Sequence, residues 1–132
     1  MHDQIKKDIL TVLNELVEIL KSKEDSDTAQ IKELSNHTIH NASVFQDEDS
    51  VSIAILIYSL SKIIERKWKD VDYNKISAMV NSSIEFLKKS DDGPFRESIK
   101  RIFNFIRMTD GRLKLFIQEV INQAQIKKGC KL

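Results

Sequence analysis

The chain has 132 residues, 41% of them hydrophobic and 31% charged, which supplies one buried core and argues against wholesale disorder. Three Gly and one Pro leave little for the tight turns of an all-β fold. The net charge of +1 argues neither for nor against a polyanionic partner, and the lone Cys130 leaves nothing to pair in an intramolecular disulfide, which points to a reducing, cytoplasmic setting.

Acids interrupt the opening MHDQIKKDIL at once, so it does not read as a signal peptide. The uncharged runs 34–46 and 50–61 are too short to span a bilayer, and no membrane association is expected. Asn36, Asn41 and Asn81 head Asn-x-Ser/Thr triplets, which read as accidental without a secretion signal. Charge is segregated along the chain. Residues 1–66 carry 12 acids against 7 bases, a net −5, whereas residues 67–132 carry 8 acids against 14 bases, a net +6. Such asymmetry suits a charged partner or head-to-tail contact between copies.

Apolar spacing predicts six helices. The first covers residues 3–23, with Ile5, Ile9, Val12, Leu13, Leu16 and Leu20 on one face. Leu10, Val17 and Ile19 widen that stripe, so the helix lies between two neighbours or joins an interface. After KSKEDSD, with Ser26 or Asp27 as N-cap, the second helix spans 28–46. It has no formal charge from residue 34 to 46, yet it carries Ser35, Asn36, His37, Thr38, His40, Asn41 and Ser43, and it reads as semi-buried with its polar atoms hydrogen-bonded.

Acids at 47–49 precede the third helix, 49–68, where carboxylates suit the positive helix start. Apolar nearly all round, this is the expected central buried helix. Asp70 or Asp72 caps the fourth, 73–89. SDDGP then punctuates the chain, with Gly93 as a non-helical entry and Pro94 in the first turn of the fifth helix, which is striped by Phe95, Ile99, Ile102, Phe103 and Ile106. A break at 109–111 leads to the sixth helix, 112–126, and a basic tail. The expected fold is all-α: a compact bundle of about six mostly antiparallel helices in one domain, 1–132. A secondary division near residue 90 would set 94–127 apart as a terminal helical hairpin.

No motif fixes an activity, and no cofactor is implied. Phosphate loops and dinucleotide fingerprints are missing, because only Gly93, Gly111 and Gly129 exist. No serine sits at a strand-to-helix elbow, and Cys130 lies in a basic tail without a scaffolded base. Three weaker constellations stand out. His37 and His40, three apart on a helix with Asp47 near, form a metal candidate, although packed hydrogen-bonding histidines are the commoner outcome. The acids 47–49 fail as a calcium loop and read as helix caps. Arg96, Lys100, Arg101, Arg107, Arg112 and Lys114 form a basic strip fit for nucleic-acid phosphates, with Phe105 as the one exposed stacker, or simply a solvated face. Excess apolar width at Leu10, Val17, Ile117 and Ile121, with Trp68 among cations, suggests an interface. The leading expectation is a non-catalytic module that binds protein, itself included; nucleic-acid binding through 96–114 and a metal or small-ligand bundle around His37 and His40 are the alternatives.

Overall fold

A computed structural model describes residues 1–22, 27–67 and 69–126. Every element among them is helical: α1 (Asp3–Ser22), α2 (Asp27–Phe45), α3 (Glu48–Lys67), α4 (Tyr73–Lys88), α5 (Asp92–Thr109) and α6 (Leu113–Gln123). None of these helices is long and apolar enough to cross a membrane.

Helix α3 is buried from Ser50 to Ile64, with only Ser52 and Lys62 partly open. Its β-branched residues Val51, Ile53, Ile55, Ile57, Ile63 and Ile64 are mediocre helix formers, each costing about half a kcal/mol against alanine. Burying each contributes about 1.5–3 kcal/mol, so packing overrides propensity. Asp47 caps the helix, accepting from the Ser50 backbone N–H at 3.1 Å. Asp72 caps α4 in the same way through Lys75.

Helices α2, α5 and α6 all pack against α3, and α1 touches it across the core. Helix α4 turns away from α3 and lies between α1 and α5. Helix α1 in turn packs on both α2 and α4, which accounts for its wide apolar arc: Val17 and Ile19 are buried and Leu10 is half-buried against the core. Successive helices alternate in direction, so α5 runs parallel to α3. Arg96 in the first turn of α5 meets Asp49 in the first turn of α3, and farther along Ile106 lies by Leu60 and Ile63. Helix α6 runs back along α3, with the Tyr58 hydroxyl on Glu119 and Gln46 Nε2 donating to the Gln125 carbonyl. One apolar cluster draws residues from all six helices. Between α4 and α5 that cluster admits the hydroxyls of Ser83 and Ser98, 2.6 Å apart and buried.

Helix ends depart from expectation by one to three residues. Helix α5 begins at Asp92, so Gly93 and Pro94 both lie inside its first turn. Backbone N–H groups there have no intrahelical partner, and Pro94 therefore forfeits no hydrogen bond. Helices α4 and α6 close through left-handed Ser90 (φ 59) and Gln125 (φ 52) rather than through glycine. The N–H of the following residue reaches back to Phe86 in one case and Ile121 in the other, completing a Schellman cap. With no glycine at these positions, the sequence signals for the stops were faint, and α6 ends three residues before position 126.

Candidate functional site

Positions 96, 100, 103 and 107 fall at i, i+4, i+7 and i+11 of α5 and so share one face. That face looks toward α6 across an open floor made by α3. Although the chain joins α5 to α6 by a short turn, α6 packs on α3 and α5 on α4 and α3, with little contact between α5 and α6 themselves. A groove results. One part, 230 Å³, lies between the first turns of α3 and α5, over Ile53, Phe95, Ile99 and Phe103. The next part, 370 Å³, shares Ser52, Lys100 and Phe103 with the first and continues past Ile55, Asn104 and Arg107 to Leu113 and Ile117. Ile121, one turn beyond Ile117 on α6, is half-buried like it.

The groove floor is apolar and its α5 rim cationic. Arg96 donates from Nε and a terminal nitrogen to both oxygens of Asp49, at 3.0 and 2.8 Å. This fork raises the Arg96 pKa further, outweighing the opposing effect of burial, and balances the charge of Asp49. Lys100 makes only a loose pair with Glu97 (3.6 Å) on a solvent-exposed flank, and Arg107 donates to Asn104 at 2.9 Å. Both cations face solvent at the rim. Glu48 is the remaining carboxylate, at the far end. Among the described residues its lining joins apolar side chains to Arg96, Lys100 and Arg107, with Glu48 and Asp49 at one end.

The six-residue basic strip is therefore divided by the fold. Arg96, Lys100 and Arg107 line the groove, whereas Arg101 and Lys114 stand exposed elsewhere on their helices. Arg112 turns back onto Asp110, donating to both oxygens at 3.0 and 2.8 Å, with its guanidinium 5.1 Å from the centre of the Phe116 ring. Asp110 is buried, and these hydrogen bonds hold its pKa down to about 2. The two phenylalanines are both half-buried against the core, on different faces of α5. Phe103, read as core, is half-buried and lines the groove; Phe105, read as an exposed stacker, packs toward α4 with the Lys75 ammonium 5.1 Å over its ring. Two residues along a helix turn a side chain by about 200°, which separates them onto different faces.

On α2 the uncharged stretch is only partly buried. Ser35, Thr38 and Ala42 face inward, and Thr38 donates to the Ser35 carbonyl at 2.8 Å. Asn36, His37 and His40 are exposed, with His37 3.4 Å from the Asn41 amide. The semi-buried reading holds for one face alone. Asp47 is taken up as the cap of α3, and among the described residues no three His, Cys, Asp or Glu side chains gather as a metal site would need. Thr38 and Asn41 border a cavity of 10 Å³ with Asp8 and Ser50, room for a single water.

Of the interface candidates, Val17 is buried between helices and Leu10 is largely covered, while Ile117 and Ile121 line or continue the groove. Trp68 lies outside the described residues. Sequence reasoning missed the exposed apolar side chains Met108 (87%) and Val44 (61%); Leu115, on the wide apolar arc of α6, is 51% exposed. All three sit at helix ends, where periodicity carries least information. No family model, curated protein or solved structure matches this chain.

Proposed function

We propose that this protein is a non-catalytic interaction module whose docking surface is the groove between α5 and α6 over α3. The observation carrying this reading is the open apolar floor at Phe103 and Ile117 beside the exposed cations Lys100 and Arg107. Apolar surface left open at the centre of a patch, with charge confined to its rim, is the composition of a protein interface. A segment bearing apolar side chains flanked by carboxylates fits it, laid along the groove as a helix lies between two others.

The alternative of nucleic-acid binding has less support. Arg96 and Arg112 are engaged by carboxylates, and Phe105 is half-buried with the Lys75 ammonium over its ring. Phosphate recognition also gains nothing from an apolar floor.

A photo-reactive side chain at position 117 tests the reading in extracts of the source cells. It should give a discrete protein adduct that the same probe at exposed position 85 does not give, and Lys100→Glu/Arg107→Glu should remove that adduct. Equal labelling from both positions, or an adduct indifferent to the charge reversal, means that the groove is not the docking surface.

A further inference from the structure

The cationic groove has its electrostatic counterpart on the same molecule. Glu15 and Glu18 of α1 and Glu33 of α2 flank a second groove, between α1 and α2, with Gln30 and His37 and, among the described residues, no lysine or arginine lining it. Lys21 pairs with Glu18 at 3.1 Å on a fully wet flank, leaving Glu15 and Glu33 exposed. Further along α2, Val44 falls on the stripe of Glu33 and His37, seven residues past His37, and is 61% exposed. The chain is 31% charged, yet this helix has no formal charge from residue 34 to 46. An exposed helix face depleted of charge at its centre, with an unshielded valine and acids at its margin, has the composition of the interior of a contact.

We infer that the occupant of the α5/α6 groove is the acidic α1/α2 face of a second copy of this chain. The inference rests on the docking role proposed for the groove and names its partner. Charge complementarity carries it: carboxylates on α1 and α2 meet Lys100 and Arg107, and Val44 meets the floor at Phe103 and Ile117. Within one molecule the two surfaces cannot satisfy each other. They stand on different helices, share no lining residue, and form no ion pair among the described residues. The contact is heterologous, because each copy presents an acidic face to one neighbour and a basic groove to the next, so it builds rings or open chains rather than a closed two-fold dimer. Exposed ion pairs contribute little each, so the association is weak, rapidly exchanging and salt-sensitive.

Analytical ultracentrifugation of the purified full chain tests this with two charge-reversed variants at exposed positions, Lys100→Glu/Arg107→Glu and Glu15→Lys/Glu33→Lys. The wild type should rise about twofold or more in weight-average mass with concentration at low salt and return to monomer at about 0.5 M salt. Each variant alone should stay monomeric, and an equimolar mixture of the two should associate again, because charge is restored across the contact. A wild type that is monomeric up to about 1 mM at low salt overturns the inference. So does association that persists in either variant alone. If the wild type is monomeric while position 117 still gives its charge-dependent adduct, the self-contact falls and the groove keeps its docking role; if both fail, the groove reading falls with it.

Discussion

Asp110 shows how much a single side chain can hold at a junction. It ends α5, lies buried, and anchors the turn into α6 through Arg112 and, at 3.8 Å, Arg66. Hydrogen bonds from Arg112 pull its pKa from 3.8 to about 2, outweighing the opposing effect of burial. A carboxylate more acidic in the folded than in the unfolded chain contributes stability above its unfolded pKa and loses it as pH falls through the folded value. Allowing for the solvent around Arg112, that contribution is about 1–2 kcal/mol near neutrality. Asp110→Asn should therefore lower the urea midpoint at pH 7, with the gap from wild type closing between about pH 4 and pH 2. A gap of constant size over that range would show that the ionised form is not what stabilises the turn. Tyr58 is displaced the other way: burial first, then its hydrogen bond with Glu119, push its pKa up to about 12, so it stays a neutral hydroxyl joining α3 to α6.

The helices differ in why they exist. Helix α3 is poor in intrinsic propensity and is held by what surrounds it, whereas α5 has a clean apolar stripe at Phe95, Ile99, Ile102 and Ile106 and was legible in detail. This contrast has a measurable consequence. Leu56, fully buried at the middle of α3, should cost about 2–5 kcal/mol when changed to Ala, because neighbouring helices cannot collapse into the space. Leu115, half-exposed on α6, should cost less than about 0.5 kcal/mol for the same change. Chemical denaturation of the two variants compares them directly, and similar losses would contradict α3 as the central helix. The breadth of apolar surface on α1 was also visible in sequence, but its meaning was not. Either neighbouring helices or a partner satisfies that surface equally well, and the fold assigned it to α2 and α4.

At the scale of the whole molecule, a single cluster of buried residues joins all six helices, so unfolding should be one cooperative transition. Far-UV circular dichroism and calorimetry should then give coincident midpoints; a separate early transition would instead mark 94–127 as an independent hairpin. The same scale holds the functional reading, since the groove exists only because α5 and α6 pack on α3 and leave space between themselves. Helical class, the number of helices and the central place of the third helix followed from the sequence alone, because apolar periodicity is a local property repeated over many turns. Caps built on Asp47 and Asp72 were equally local. Which cation faces which helix was decided only in three dimensions: one basic strip became three groove residues, one internal clamp and two solvent cations, and Phe103 and Phe105 both came to lie half-buried, on different faces. Side-chain direction along a helix is periodic and so readable, but the neighbour that meets each face depends on contacts distant in sequence, and no local pattern encodes them.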